Sequence, residues 1–276
     1  MSVESFFVAT PNGQYHVEAT GSGKPVLFIH GGTASTREWR WVLPALGAHA
    51  RCVAVDRLGC GLSDRARSYE RAAMTDSLLA VADAQGWDRF GVVGQSFGGL
   101  WALSVAFAAP ERVSRLILVD SAVGPRTEEE IAERMARPPA FQLVKPWHEM
   151  NEAERVVEID STLARIFTDP SRVDPSYRAD MTWQRERADP RNPRPAGDLY
   201  ASVARERYDR IPCPTLVVWG EDDVMDPVRF GRRLAEAIPG ARFAGLPGVG
   251  HTCQIEAPAE FVAAVTPFLD ETNQLA

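Results

Sequence analysis

Cysteine is scarce. The 276 residues hold four, Cys52, Cys60, Cys213 and Cys253, widely scattered and with no Cys-x-x-Cys spacing. That pattern points to no metal site, and free thiols in a reducing cytoplasm are the expectation. Long apolar runs are missing too: none approaches the roughly 18 residues of a membrane-spanning helix. The first residues, Met1 to Val8, lack a basic segment followed by a long apolar one, so no signal peptide is expected. Positive charge is in deficit, 30 Lys and Arg against 37 Asp and Glu, for a net charge of −7. This balance argues against nucleic acid or an anionic membrane as the main partner, and says nothing against a neutral small molecule. Internal repeats and low-complexity tracts are absent. What remains, 45% hydrophobic and 24% charged residues, suits a globular chain with a sizeable core.

That chain turns on one stretch, Arg89 to Leu103, in which a β-branched apolar run enters Gly94-Gln95-Ser96-Phe97-Gly98-Gly99 and leaves as an Ala/Leu-rich segment. A strand becomes a helix there within a few residues, and Gly94 and Gly98 remove the Cβ atoms that would collide in so sharp a turn. Ser96 is left at the tip with its hydroxyl exposed, the arrangement of a nucleophile elbow.

Around it the chain alternates. A hairpin is signalled by Phe6 to Ala9 and Tyr15 to Ala19 about Thr10-Pro11-Asn12-Gly13. Strands follow at 25–30, 52–56, 90–95, 115–120, 214–220 and 241–246. Helices are predicted from near Thr36, with Trp39, Val42, Leu43 and Leu46 on one face, and over 74–85, from the elbow to about Ala109, 230–238 and 258–269. Near-continuous apolar strands between helices predict an α/β fold, a parallel sheet covered on both faces with its site at the carboxyl strand ends. His30, Asp56, Ser96 and Asp120 all stand at such ends. The rhythm breaks between Ala122 and Tyr208, far longer than a strand-to-helix connection needs. Residues 122–208 therefore read as an inserted helical cap on a core of 1–121 and 209–276. Within the cap, Thr127 to Glu130 resembles a capping box, and Ala153, Val156, Val157, Ile159, Leu163 and Phe167 space an amphipathic helix over 151–167. Its aromatics (Phe141, Trp147, Tyr177, Trp183, Tyr200) either face a substrate or pin the cap to the core.

A serine hydroxyl needs a neutral imidazole as base, and that imidazole needs an orienting carboxylate. Of five histidines, His251 stands after the last strand on a glycine-rich loop and is the best base. His30 is expected to brace the Gly31-Gly32 loop, while His16, His49 and His148 read as surface or packing residues. Asp223, in the turn before Pro227, is the preferred acid. Asp120 is the runner-up, and Asp222 and Asp226 are expected to cap the turn and helix. Backbone N–H groups of Phe97 and Gly32 are the expected donors to an oxyanion. Cys253 reads as a small half-buried residue or a lining one, and the arginines 126, 134, 137, 155, 165 and 187 as solvated or carboxylate-binding.

These residues together resemble the α/β-hydrolase family, over nearly all of the chain outside the cap. The likeness rests on His30-Gly31-Gly32, Asp56-Arg57-Leu58-Gly59-Cys60-Gly61-Leu62-Ser63-Asp64, the elbow, Gly220-Glu221-Asp222-Asp223 with Pro227, and Gly250-His251 before Glu256-Ala257-Pro258. The resemblance implies a mostly parallel eight-stranded sheet flanked by helices, with the cap between the sixth and seventh strands. It implies Ser96 as nucleophile, Asp223 as acid, His251 as base, Gly32 and Phe97 as oxyanion-hole amides, and no metal or cofactor. A serine at the elbow sets the chain apart from family members that carry an aspartate there. The leading expectation is hydrolysis of a small carboxylic ester or lactone through an acyl-enzyme. Carbon–carbon bond hydrolysis of aromatic ring-cleavage products stands second. Peroxidase, lyase and acyltransferase chemistry and a non-catalytic small-molecule receptor stay open on the same fold, as does contact between copies of the chain in a homo-oligomer.

Overall fold

The two-residue period of each strand divides the interior into two layers. In the computed structural model, which describes residues 2–121, 123–136, 146–192, 198–211 and 213–271, Leu27, Ile29, Val92, Leu116 and Leu118 face one layer. Their neighbours Val26, Phe28, Val93, Ile117 and Val119 face the other. Strands buried on both faces read as unbroken apolar runs, which is why they stand out in the sequence.

The elements in order are β1 (Glu4–Thr10), β2 (Gly13–Thr20), β3 (Pro25–Ile29), α1 (Leu43–Leu46), β4 (Arg51–Val55), α2 (Arg71–Ala84), β5 (Phe90–Gln95), α3 (Phe97–Ala108) and β6 (Val113–Val119). Among the described residues of the insertion, four α-helices follow: α4 (Glu128–Ala136), α5 (Glu152–Ile166), α6 (Tyr177–Arg187) and α7 (Asp198–Ala204). The sheet resumes with β7 (Thr215–Gly220), α8 (Arg229–Ala237), β8 (Arg242–Leu246), α9 (Cys253–Glu256) and α10 (Pro258–Asp270). The eight strands form one sheet in the order β1-β2-β4-β3-β5-β6-β7-β8. β1 and β2, and β2 and β4, pair antiparallel; every later pairing is parallel. β5 therefore lies in the middle, and its carboxyl end carries the elbow.

The helix expected from Thr36 is split. A 3-10 turn, Thr36–Trp39, precedes α1, which opens with Pro44 where its missing N–H is harmless. Trp39, Val42, Leu43 and Leu46 are nevertheless all buried. The capping box at Thr127 is formed, and a second one starts α5 at Asn151 and Glu154. The expected apolar face of α5 is only partly used. Ile159 is buried, whereas Val156 and Val157 are 48% and 67% exposed. Phe141, Arg137, Pro138-Pro139 and the Pro193 to Pro195 part of the insertion lie outside the described residues, as does the Arg134 side chain.

The elbow needs its glycines for space. A Cβ on Gly98 would lie 2.2 Å from the Ile29 carbonyl oxygen and 2.6 Å from that of His30, both backbone atoms of the neighbouring strand and its exit. Gly98→Ala is expected to destabilise by about 1–3 kcal/mol, since neither partner is a flexible side chain. Denaturant unfolding measures this, and an unchanged midpoint would mean that the two strands are not held as described.

Candidate active site

Ser96 joins β5 to α3 with φ of +49°, a left-handed conformation that a serine adopts only under constraint. Its N–H is tied to the Val119 carbonyl at 2.8 Å, so the strained residue is fixed by the next strand. His251 Nε2 stands 2.8 Å from Ser96 Oγ, and His251 Nδ1 stands 2.8 Å from Asp223 Oδ2. The other oxygen of Asp223 accepts the N–H groups of Met225 and Asp226 at 2.7 and 3.0 Å. Asp223 thus performs the turn capping expected of its neighbours, which fixes the carboxylate facing the imidazole. Three segments distant in sequence meet here in one hydrogen-bonded chain. The carboxylate favours the tautomer with Nδ1–H, which leaves Nε2 as the acceptor facing the Ser96 hydroxyl.

Burial works against the imidazolium of His251, yet the adjoining Asp223 carboxylate prevails and raises it to about 9. A base must be neutral to accept a proton, so its protonated form is the inactive one. The acidic limb of kcat/KM is therefore expected above the ordinary imidazole value of about 6.5, displaced toward about 9. A pH–rate profile checks this, and a limb at or below 6.5 would contradict it.

Asp120, the runner-up, is buried at the end of β6 with φ of +41° and does not reach His251 by a hydrogen bond. Its oxygens accept the N–H groups of Gly220 at 2.8 Å and Cys253 at 3.2 Å. Burial and the charge of nearby Asp223 push it up to about 7. Cys253 is fully buried, its thiol pushed up by the same burial.

The loop after β3 lies directly on Ser96, since a Cβ on Gly31 would sit 3.2 Å from that of Ser96. His30 braces it as expected, with Nε2 accepting the Arg57 N–H at 2.9 Å. Arg57, in the sequence only one residue of the Asp56 to Asp64 motif, has a bonding role that the sequence did not signal. Fully buried, it donates from Nε to the His30 carbonyl at 3.3 Å and from Nη2 to those of Gly31 (2.9 Å) and Gly32. A trans peptide points its C=O and N–H in opposite directions. Holding the Gly31 carbonyl therefore aims the Gly32 N–H away from Arg57. Phe97 is the first residue of α3, so its N–H is one of those left without an intrahelical partner. Gln95, inside the elbow motif, also has a role of its own: its Nε2 donates to the His251 carbonyl at 2.8 Å.

Helix α6 crosses this loop. Tyr177 donates its hydroxyl to Glu38 at 3.1 Å, Gln184 to Ser35 Oγ at 3.1 Å and Arg185 to Thr33 Oγ1 at 2.8 Å, while Arg37 and Arg40 pair with Asp180. Glu38 is buried, which pushes it up to about 7. Tyr177 and Trp147 pack in a small apolar cluster with Ile159, Ile166, Phe167 and Ile255, and Tyr200 is buried in the main core. Those three aromatics pin the insertion to the rest of the chain. Trp183 lies instead between the guanidinium groups of Arg37 and Arg187. His16 is buried against Asp56, His49 pairs with Asp270 at the surface, and His148 is exposed.

The family described as alpha/beta hydrolase fold matches residues 24–258, and the chain belongs to it. The chain is 32% identical over 263 residues to a 2-hydroxymuconate semialdehyde hydrolase of Pseudomonas sp. (strain CF600), covering 93% of this chain and 90% of that one. It is 30% identical to a 2-hydroxy-6-oxo-6-(2'-aminophenyl)hexa-2,4-dienoic acid hydrolase of Metapseudomonas resinovorans, covering 97% and 91%. A solved N-acyl homoserine lactone degrading enzyme superposes with a TM-score of 0.74 at 25% identity, covering 95% of this chain and all (100%) of that one. The protein is a hydrolase of this superfamily. Among the described residues, no helix is long and apolar enough to cross a membrane.

Proposed function

We propose that the protein hydrolyses a small carboxylic ester or lactone through an acyl-enzyme on Ser96. The observation that carries this reading is the continuous hydrogen-bonded chain from Ser96 through His251 to Asp223. Ser96 Oγ attacks the carbonyl carbon as His251 Nε2 takes its proton. The negative charge forming on the carbonyl oxygen meets the N–H groups of Gly32 and Phe97. His251 then returns the proton to the departing alcohol oxygen, and water, deprotonated by the same imidazole, releases the acid. Residues 122–208 serve as the cap that closes over this chemistry, with α6 lying on the loop that carries Gly32.

A second reading is favoured by two observations. Relatives at 32% and 30% identity are named for hydrolysis of a muconate semialdehyde and of a dienoic acid. Arg185 is buried beside Thr33, one residue from Gly32, and lies 4.0 Å from the Glu158 carboxylate; a guanidinium so placed can exchange that partner for a substrate carboxylate. Carbon–carbon bond hydrolysis of a carboxylated ring-cleavage product fits both. A fluorophosphonate probe followed by intact mass and peptide mapping tests the serine chemistry shared by the two, and no adduct on Ser96 of folded protein would refute it. A panel of a short-chain p-nitrophenyl ester, an N-acyl lactone and a chromophoric 2-hydroxy-6-oxo-dienoic acid then separates them. Turnover of the dienoic acid alone would overturn the ester reading.

A further inference from the structure

Resting on the reading of His251 as the general base, we infer that Glu256 is a positioning residue that seats this histidine jointly with the inserted segment. Glu256 closes α9 and is 1% exposed. Its Oε2 accepts the N–H of Gly250, one residue before the base, at 2.7 Å. Its Oε1 accepts the N–H of Asp169, in the insertion just beyond α5, at 2.7 Å. Between these two bonds the His251 N–H itself donates to the carbonyl of Ile166, the last residue of α5, at 2.8 Å. The two backbones touch. A Cβ on Gly250 would lie 2.6 Å from the Ile166 oxygen and 3.0 Å from the Thr168 nitrogen, so the glycine before the base is required by the insertion lying against it.

Four anchors thus hold the imidazole. Asp223 and Ser96 hold the ring, Gln95 on the elbow strand holds the carbonyl, and Ile166 in the insertion holds the N–H. The last of these depends on the insertion staying docked, and Glu256 is the buried side chain that fastens it to the histidine loop, beside an exposed bond from Arg172 to the Gly248 carbonyl at 3.4 Å. A carboxylate is the group suited to this, because it accepts at two points and donates at neither. Ile255 reinforces the seam, packing with Ile166, Phe167 and Tyr177. The salt bridge of Arg172 to Glu260, 2.8 Å long, ties the same seam at the surface, where it is screened and weak.

Glu256→Gln is the test. An amide keeps one acceptor and turns an NH2 group toward the second backbone N–H, so one of the two anchors is lost. Displacing the base by about 1 Å costs about 100-fold. The expected result is a fall of about that size in kcat and in the rate of fluorophosphonate labelling of Ser96, with KM changed only a few-fold. Glu260→Gln, which cuts only the surface tie, is expected to label at the rate of the parent protein. A second measurement needs no substitution. By amide hydrogen exchange on the parent protein, Asp169, Gly250 and His251 are expected to open together in one event. Labelling of folded Glu256→Gln at the parent rate would overturn the inference, as would exchange of Asp169 by an opening independent of Gly250 and His251. Failure of the parent protein itself to label at Ser96 would instead strike the catalytic reading on which the inference rests.

Discussion

Ser96→Ala is expected to lower kcat by about four to six orders of magnitude while changing stability by no more than about 1 kcal/mol. The two halves of that expectation have separate causes. The hydroxyl is the only atom removed, and it is the atom that would bond to the substrate carbonyl. No general base can substitute for a missing nucleophile, so what remains is the rate supplied by binding and the oxyanion donors alone. The fold, by contrast, uses the Ser96 side chain little: it makes no capping bond to α3, and its hydrogen bond is the one to His251. Alanine keeps the same backbone and the same strain. Steady-state kinetics and a thermal melt on one preparation decide the matter. Retention of more than a few per cent of turnover would remove Ser96 from the reaction.

Asp223→Asn is expected to cost about four orders of magnitude in kcat. An amide retains the shape of the carboxylate and the acceptor for the turn at Met225, but it offers His251 no negative charge. The imidazole then loses both its preferred tautomer and the charge that raises it to about 9. The acidic limb of the residual activity is accordingly expected to move down. Asp120→Asn is the matched control. Both oxygens of Asp120 hold backbone N–H groups, so its amide variant gives up one of two buried acceptors and is expected to lose stability rather than rate. A larger fall in kcat for Asp120→Asn than for Asp223→Asn would transfer the orienting role to Asp120.

The parts of this molecule that show in its sequence are those that obey local rules. Strands buried on both faces appear as unbroken apolar runs, and the turn at Gly94 and Gly98 shows because only glycine leaves room for the crossing backbone. The break into a 3-10 turn and α1 did not show, because the same four apolar residues are buried whether or not the helix is continuous. Val156 and Val157 have helical spacing but no partner element among the described residues, and periodicity reveals that a residue is apolar, not that something covers it. Arg57, Gln95 and Glu256 stand in the motifs that carry the resemblance and Arg185 in none, yet no local pattern tells what any of the four bonds. Each matters through a bond to a group 26 to 156 residues away, a backbone atom for all but Arg185, and such a bond exists only once the sheet order is set. Asp223 differs because its turn is local and announces itself.

Position in the sheet also dictates when the protein becomes competent during synthesis. The elbow strand is central and is made early, whereas β8, which delivers His251, is an edge strand made 150 residues later. A chain made only as far as β7 and the turn after it holds Ser96 and Asp223 but lacks the His251 that stands between them. On the proposed reading, hydrolysis is expected only once β8 and the loop after it are in place, so that the appearance of activity doubles as a clock for completed folding.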